Sequence, residues 1–419
     1  MPLPRLWLLF AVLLFLNGST AWSQEKTALS ETQLADDLNQ FADELPKRYA
    51  DLFSQRPKQE FDAAVDALRL RLPSMDRQTF GWELRRITKA FTNGRTNVES
   101  EFSIPPLLTV RFKALEDGLF VSAVERSRRE LIGVKLKRIG NLDAEDIPAV
   151  VGALVPHKNP SGLRRFLDSL GSDIDFLRAI GVEAKDDKVT ITVEADGKGD
   201  VTFEAEVYST GRNPPMQLHR LYGWIPGAYP MPQWFEERDK TLYFNCRCCR
   251  TANDLDHVIR RTEKALQKHK VKRFLLDLRR NSFEHPDEVD SQTPAALIDF
   301  FRNHKAINQT GRLFVVIGRG TETSGFIKLQ ELREKTKAIF VGEQPASKFT
   351  LYQQSKRFAD FTLSNSNLKI KYLVPAEVEA DRAETKMFAP DILVTLNSKA
   401  WFAYGDPFWK AVLEYKLKD

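Results

Sequence analysis

Residues 240–419 alternate between strand-like and helix-like segments, and this alternation limits the fold more tightly than anything else in the chain. The strand-like runs are KTLYFNC (240–246), RFLLDLR (273–279), RLFVVIG (312–318) and AIFVG (338–342), with helices predicted at 254–268, 294–302 and 324–335. Such alternation predicts an α/β layer built on a largely parallel sheet. Side chains that act on a ligand are then expected where the strands end.

The upstream half divides according to the period of its apolar residues. Residues 30–92 are predicted to form three helices. The third helix carries one apolar stripe, made of Phe80, Leu84, Ile87 and Phe91. From residue 102 onward the pattern is that of short strands, which close with an alternating hairpin at 188–207. A stretch rich in Pro, Gly and aromatic residues follows at 209–234 and is typical of a connection between domains.

The N-terminus has the layout of a secretory signal. One cation, Arg5, precedes a short apolar run at 6–16, and Ala21 and Ser23 supply small side chains at the cleavage-recognition positions. The run is shorter than a membrane-spanning helix, and no later segment approaches the ~18 apolar residues that such a helix needs. We therefore expect an exported protein, periplasmic or extracellular, with no integral membrane span after signal cleavage.

These changes of pattern predict a multi-domain α/β protein. Its parts are a signal peptide at 1–23, a helical N-terminal domain at 24–100, a β-rich α+β module at 101–208, a connection at 209–235 and an α/β core at 236–419.

The charge of the chain is balanced, with 62 Lys and Arg against 57 Asp and Glu and a net charge of +5. Phosphate binding needs basic residues concentrated on one face of a protein. The densest basic run, at 125–138, is interleaved with apolar residues at strand spacing. The sequence therefore predicts no nucleic-acid partner, and it indicates no cofactor.

The cysteines all lie in one short segment, FNCRCCR, as Cys246, Cys248 and Cys249. An odd number of cysteines in an exported protein leaves open a free or an intermolecular thiol. Three ligands on one strand do not close a tetrahedral metal site, so no metal site is predicted. Small buried side chains at a strand end are the simpler interpretation.

Ser324 lies where the third strand of the core breaks, in the segment RGTETSG (319–325). At the start of a helix its hydroxyl would lie in the positive field of the helix terminus, and neighbouring N–H groups would suit an oxyanion. Serine is also an ordinary helix cap. The position alone leaves both roles open.

Residues 236–415 resemble the core domain of the tail-specific, or C-terminal-processing, serine peptidases, in the branch that includes tricorn-like enzymes. The matching pieces occur in the family's order: KTLYFNC, LLDLRRN, VVIGRGTETSG, AIFVGE, APDILV and WFAYGDPFW. The resemblance implies a crotonase-like or ClpP-like core that acts on polypeptides. It also implies that Ser324 is the nucleophile, with Gly325 beside it.

The resemblance extends upstream. DGLFVSAVERSRRELIGVKLKRIGNLDAEDI (117–147) looks like a PDZ-like module, and WELRRITKAFTNGRT (82–96) resembles the helix and turn that carry a D-G-H-T-like motif. Where that turn supplies a histidine base in the family, this chain has Arg95. A guanidinium stays protonated at any working pH, so Arg95 does not accept the proton of the serine.

A second departure concerns the loop that follows the family's DLRxN motif. The family places a glycine pair there, and its backbone approaches the substrate carbonyl. This chain has Ser282, Phe283 and Glu284 instead. Side chains at these positions restrict the backbone, and a carboxylate disfavours a developing oxyanion.

Three other residues are candidates for the missing proton chemistry. Lys348 lies 24 residues after Ser324, near the spacing at which the family's Ser/Lys branch places its lysine. A desolvated lysine acts as a base once its pKa falls. His285 lies in the altered loop, and Glu384 matches the position of an accessory acid in tricorn-like members.

The sequence leaves three functions open. The first is a serine peptidase that works through Ser324 and Lys348. The second is non-catalytic binding of an extended peptide beside a sheet edge, with Arg95 paired to a terminal carboxylate. The third is a structural partner in an envelope or extracellular assembly, in contact through the aromatic-rich segment at 222–235.

Overall fold

The structure is a computed structural model. It describes residues 29–49, 52–54, 56–92, 96–99, 106–155, 157, 159–195, 199–208, 216–218, 233–238, 240–246, 252–268, 271–279, 293–321, 329–346, 358–374, 388–403 and 405–416. In these ranges no helix combines the length and the apolar character needed to cross a bilayer. The predicted signal peptide at 1–23 lies outside the described residues and stays a prediction.

The described residues form a mixed α/β structure. Its helices are α1 (Glu31–Arg48), α2 (Lys58–Arg69), α3 (Arg77–Thr92), α4 (Ile147–Leu154), α5 (Pro160–Leu170), α6 (Ile174–Ala179), α7 (Ala252–Lys268), α8 (Thr293–Asn303), α9 (Leu329–Lys335), α10 (Ser398–Phe402) and α11 (Pro407–Glu414).

The strands come from every part of the chain. They are β1 (Thr96–Glu99), β2 (Leu107–Leu108), β3 (Val110–Leu115), β4 (Gly118–Glu125), β5 (Lys135–Ile139), β6 (Leu142–Asp143), β7 (Lys188–Ala195), β8 (Gly199–Tyr208), β9 (Met216–Leu218), β10 (Gln233–Arg238), β11 (Thr241–Cys246), β12 (Arg273–Asp277), β13 (Leu313–Ile317), β14 (Ile339–Gly342), β15 (Phe358–Thr362), β16 (Lys369–Leu373) and β17 (Ile392–Leu393).

Helices α1, α2 and α3 confirm the three predicted N-terminal helices. Helix α1 begins with a capping box, because the Ser30 hydroxyl accepts from the Gln33 N–H while the Gln33 side chain accepts from the Ser30 N–H. The predicted stripe of α3 is buried in the core of this unit and consists of Phe80, Leu84, Ile87 and Phe91.

A hairpin from much later in the chain completes this N-terminal unit. Strands β15 and β16 join β1 in an antiparallel sheet of order β1–β16–β15, and their apolar side chains enter the core of α1–α3. The buried carboxylate of Asp37 holds the turn of the hairpin: it accepts from the backbone N–H of Asn365 at 2.9 Å and of Ser366 at 2.7 Å. No sequence pattern had linked these distant segments.

The middle of the chain forms a β-rich module at 106–208. Its sheet has the order β2–β8–β7–β5–β4–β3, with β6 paired to β5 and β9 paired to β4. Only Thr109 separates β2 from β3, so the sheet curls until its first and last strands adjoin. The predicted strands at 107–115, 118–124 and 133–139 and the hairpin at 188–207 are confirmed, while α5 and α6 had no prediction.

The C-terminal core contains the predicted, largely parallel sheet. Its order is β10–β11–β12–β13–β14–β17, and only β10 pairs in the antiparallel sense. Strand β10 begins at Gln233, inside the predicted connection. Helix α7 begins two residues earlier than predicted, and α8 begins one residue earlier, at Thr293.

Alternating side chains of this sheet enter two different cores, as the period of a strand requires. One face, with Phe274, Leu276 and Val315, packs against α7, α8 and α9. The other face, with Leu275 and Phe314, packs against α11 and also against Leu115 and Phe120 of the module. The module and the core are therefore joined by one apolar cluster.

Candidate active site

The parallel strands β11, β12, β13 and β14 end at the same edge of the core sheet, where the sequence predicts functional side chains. Thr321 joins two of the turns that follow these strands. Its buried hydroxyl donates to the Leu278 carbonyl at 2.8 Å and accepts from the Gly318 N–H at 2.8 Å. The turn after β13 is thus fixed against the turn after β12.

Two glycines allow these turns to lie close together. A Cβ atom at Gly320 would stand 3.0 Å from the Arg279 carbonyl oxygen. Gly342, the last residue of β14, has φ of +141°, and a Cβ atom there would stand 1.9 Å from the Ile317 carbonyl oxygen. Glycine is needed at position 342 for both reasons, and Glu343 follows it directly.

Arg279 lies just before the segment that contains Ser282, Phe283 and Glu284, and its own position is held by several contacts. Its Nε donates to both carboxylate oxygens of Asp277 at 3.0 Å, and its Nη2 lies 2.9 Å from Asp406 Oδ2. The Tyr243 hydroxyl donates to Asp277 at 2.7 Å. Burial raises the pKa of the Asp277 carboxyl, but Arg279 outweighs burial and the pKa ends below its usual value.

The network of Asp277 and Arg279 also includes the start of helix α11. Asp406 caps helix α11 by accepting from the Phe408 N–H at 2.9 Å, and the guanidinium of Arg279 lies over the Phe408 ring at 5.0 Å. Burial and the Asp277 charge hold the pKa of Tyr243 well above its usual value, so this phenol stays protonated. We interpret the group as a support for the strand ends rather than as reactive chemistry.

Arg319 joins the third turn to the other two. Its Nη2 donates to Glu343 Oε1 at 2.7 Å, and its carbonyl oxygen accepts from the Ala346 N–H at 3.3 Å. The side chains of Arg319 and Glu343 are both buried. The segments 278–279, 318–321 and 343–346 therefore meet at one edge of the sheet.

The module borders this edge. The side-chain amide of Asn159, the N-cap of α5, donates to the Pro345 carbonyl at 2.9 Å. Gly162 lies so near the same segment that a Cβ atom would stand 2.7 Å from the Ala346 carbonyl oxygen. On its other side the module contacts α3, where Lys89 donates to the Gly152 carbonyl. Burial lowers the pKa of Lys89.

The predicted site residues all lie outside the described residues, so their roles stay predictions. They are Arg95, Ser282, Phe283, Glu284, His285, Ser324, Gly325, Lys348 and Glu384. The flanks of several are described: Thr321 is three residues before Ser324, Ala346 is two before Lys348, and Arg279 is three before Ser282. Cys248 and Cys249 are also outside, and of Cys246 only the backbone, at the end of β11, is described.

Sequence reasoning missed the residues that hold the strand ends together, namely Arg279, Arg319, Thr321 and Glu343. Thr321 and Arg319 belong to the polar turn RGTETSG, so the turn itself was a usable signal. Arg279 pairs with Asp277 only two residues away, but Glu343, the partner of Arg319, and Leu278, the partner of Thr321, are distant in the chain and were not readable from spacing.

Comparison with known proteins identifies the fold. No family model matches the sequence, and no curated protein matches it. Among solved structures, mature CPAF shares 10% identity with a TM-score of 0.53, covering 91% of this chain and 96% of that chain. Mature CPAF complexed with lactacystin gives 10% identity and a TM-score of 0.52, covering 92% and 97%.

A more distant match is a photosystem II D1 C-terminal processing protease, with 10% identity and a TM-score of 0.35, covering 91% of this chain and 100% of that chain. At these identities the likeness to CPAF concerns the fold alone. The chain has a CPAF-like fold.

Proposed function

We propose that the protein engages extended polypeptide segments at the carboxyl edge of the core sheet, with Ser324 as the nucleophile-equivalent residue. The observation that carries this proposal is the meeting of the turns at 278–279, 318–321 and 343–346, held by the Thr321 and Arg319 hydrogen bonds. Ligands of open parallel sheets bind at such an edge. The CPAF-like fold supports the same position.

The first form of this function is peptide cleavage. The Ser324 hydroxyl would lose its proton to a base while its oxygen attacks the peptide carbonyl carbon, and the departing amine would take up a proton. Arg95 does not serve as that base. We assign the role to Lys348, two residues beyond the Arg319-bonded Ala346, with Glu384 as an accessory acid.

The second form is binding without turnover. The sequence feature in its favour is a permanent cation at Arg95, together with side chains at 282–284 where the family has a glycine pair. A guanidinium suits a terminal carboxylate, which it binds with two parallel hydrogen bonds. In this form Arg95 holds the carboxyl end of a peptide and Ser324 remains unreacted.

One experiment separates the two forms. A peptidyl phosphonate ester, which reacts with activated serines, is incubated with the wild type and with Ser324→Ala, and adducts are mapped by mass spectrometry. An adduct on Ser324 in the wild type alone supports cleavage. Its rate should then rise with pH as the Lys348 ammonium deprotonates, and Lys348→Met should abolish the rise.

If no adduct forms, calorimetry with C-terminal peptides tests the second form. Binding that disappears in Arg95→Ala supports it. Absence of both labelling and binding would overturn the proposed function. Lactacystin, the compound bound in one CPAF structure, is a second probe for Ser324.

We further propose that the protein is exported after removal of residues 1–23. The finer architecture is proposed as well: a helical bundle at 24–100, a PDZ-like module at 101–208 and a crotonase-like core at 236–419, related to the tricorn branch. A secreted protein whose first residue is Gln24 by mass spectrometry would support export, and retention of an intact N-terminus in the cell would contradict it.

A further inference from the structure

Strand β3 ends the strand order of the module, and one of its residues is bonded on the outer side by side chains from outside the sheet. The Ala114 N–H donates to Asp168 Oδ1 at 2.8 Å, and Nη1 of Arg319 donates to the Ala114 carbonyl at 2.6 Å. An open strand edge offers such groups to another strand. Asp168 and Arg319 therefore occupy the two positions that a pairing strand would use.

The outer edge of β2, the strand that directly precedes β3 in the chain, is covered by the backbone that follows α5. The Leu108 N–H donates to the Ser172 carbonyl at 2.8 Å, and the Ile174 N–H donates to the Pro106 carbonyl at 3.1 Å. Between these two points α5 itself packs along β3. The outer sides of β2 and of Ala114 in β3 are thus occupied by other parts of the chain.

The charges at Ala114 form one group, the Arg319 cluster, which consists of Lys113, Asp168, Arg319 and Glu343. Arg319 is 6% exposed and its partner Glu343 is 7% exposed. Nη1 of Arg319 lies 3.4 Å from Asp168 Oδ2, and Lys113 donates to the same oxygen. Two cations balance two carboxylates, which is what makes burial of this many charges tolerable.

The Arg319 cluster connects the module to the proposed active site. Arg319 belongs to the turn at 318–321, and its own backbone is bonded to Ala346. The same guanidinium is bonded to β3 of the module and to Glu343 at the end of β14. Arg319 therefore connects the β3 edge directly to the turn that precedes Ser324.

We propose that Asp168 and Arg319 close the β3 edge to extended peptides, and that Arg319 is a positioning residue that fixes the 318–321 turn against the module. The module then borders the site without pairing with the peptide. Peptides bind at the carboxyl edge of the core sheet instead of at the β3 edge. The closing of β3 stands on its own contacts, whereas the importance of the turn rests on the proposed function of Ser324.

Hydrogen exchange followed by mass spectrometry tests the coupling without any peptide. Asp168→Ala removes the acceptor of the Ala114 N–H and a partner of Arg319. We expect the Ala114 amide and the Gly318 and Thr321 amides to exchange about tenfold faster or more. Asp143→Ala, which removes an exposed ion pair with Arg138 in the same module, is the control and should change neither region.

Two further variants separate the roles of Asp168. Asp168→Asn keeps an acceptor for Ala114 but loses the charge, so exchange should rise mainly at 318–321. Asp168→Glu restores the charge and should return 318–321 toward the wild-type rate. Unchanged exchange at 318–321 in both Asp168→Ala and Asp168→Asn would overturn the positioning role, and unchanged exchange at Ala114 in Asp168→Ala would overturn the closing of the edge.

The closing of the edge has a second test with peptide present. A panel of extended peptides is added in excess to the wild type, and exchange at 110–115 is compared with exchange at 318–321. We expect slower exchange at 318–321 and no change at 110–115. Slower exchange at 110–115 would show an open edge and contradict the proposal. Absence of any slowing would refute the proposed function, while the closed edge would still be judged by the Asp168 variants.

Discussion

The guanidinium of Arg319 is surrounded by oxygen atoms of three separate elements, which are Glu343, Asp168 and the Ala114 carbonyl. Burial lowers the pKa of Arg319, but Glu343 and Asp168 outweigh burial and the pKa ends above its usual value. Burial also lowers the pKa of the neighbouring Lys113, against the raising effect of Asp168. Arg319 lies within salt-bridge distance of both Glu343 and Asp168, so loss of either carboxylate removes a partner of the buried guanidinium.

Removal of one member should therefore be strongly destabilising. Glu343→Ala leaves Arg319 buried without its main carboxylate, and we expect a loss of about 3–5 kcal/mol in the free energy of unfolding, measured with urea. Glu331→Ala, which removes a half-buried pair with Lys335 one turn away on α9, is the control and should lose less than about 1 kcal/mol. Equal losses in the two variants would contradict this view of the cluster.

A second buried charge lies away from the proposed site. Asp173 is the N-cap of α6 and accepts from the Phe176 N–H at 3.0 Å. Burial raises its pKa to about 6, and Asp175 adds to the rise, while the hydrogen bonds and Arg85 oppose it. Because the folded state holds this proton more tightly than the unfolded chain, its stabilising effect is full below about pH 4. That effect is lost as the pH rises through about 6.

Asp173→Asn is therefore expected to gain stability relative to the wild type as the pH rises from 4 to 7.5, because the amide remains neutral and still caps the helix. The gain should reach up to about 3 kcal/mol by the pKa difference. Thermal unfolding across this range measures it. Asp146→Asn, at an exposed N-cap whose side chain makes no cap hydrogen bond, is the control, and a flat difference for Asp173→Asn would be evidence against a raised pKa.

At the scale of elements, the hairpin β15–β16 depends on one carboxylate in a distant helix. Asp37 on α1 accepts from the Ser366 N–H at 2.7 Å, the Asn365 N–H at 2.9 Å and the Asn365 side chain at 3.0 Å. The carboxylate is fully buried, and its removal leaves the N–H of the buried residue Ser366 without its acceptor.

Asp37→Ala should detach the hairpin locally before the rest of the protein unfolds. We expect a loss of about 2–4 kcal/mol in the free energy of unfolding and faster hydrogen exchange at 358–373 than elsewhere. Gln40→Ala is the matched control from the same helix, because its contacts with Thr362 and Ser364 are exposed, and it should lose under about 1 kcal/mol. Uniform exchange across the molecule in Asp37→Ala would count against a local role.

The elements show why part of the fold was predictable from sequence. The core strands and α3 carry local periods that depend only on neighbouring residues, so they were found correctly. The pairing of β16 with β1 was not predicted, because these strands are far apart in sequence. Nothing in the sequence of either strand indicates which strand it pairs with. Helix α5 had a readable start in Asn159 and Pro160, which the sequence reading did not use.

The difference between local and long-range signals also explains why only part of the site was predictable from sequence. The polar turn after β13 was recognised because a strand, two glycines and several hydroxyls follow one another in the chain. The binding of Arg319 to Glu343 and Ala114 was not foreseen, since a salt bridge between strands is defined by the sheet order and not by spacing. Departures such as Arg95 were visible in sequence only because a family pattern supplied the expectation.

At the scale of the whole molecule, the module and the core share an apolar cluster on one face of the core sheet. Phe120 of the module is 6% exposed and lies against Phe402, with ring centroids 6.0 Å apart, in the cluster that also holds Phe408 and Trp409. Phe203, by contrast, lies in the module's own core. We therefore expect the module and the core to unfold as one cooperative structure.

Phe120→Ala should therefore lower the free energy of unfolding by about 3–5 kcal/mol and speed hydrogen exchange in both β4 and α11. Phe203→Ala should have a loss of similar size, but its faster exchange should stay within the module. Faster exchange in α11 for both variants, or for neither, would disagree with a shared cluster as the link.

We expect an extended peptide to lie at the carboxyl edge of the core sheet, whether or not it is cut. Photo-crosslinking with peptides that carry a benzoylphenylalanine, followed by mass spectrometry, tests this claim directly. We predict crosslinks in 280–292, 322–328 or 347–357, the segments that follow the joined turns, and none in 110–115. Crosslinks that fall on 110–115, or that avoid all three strand-end segments, would contradict the account.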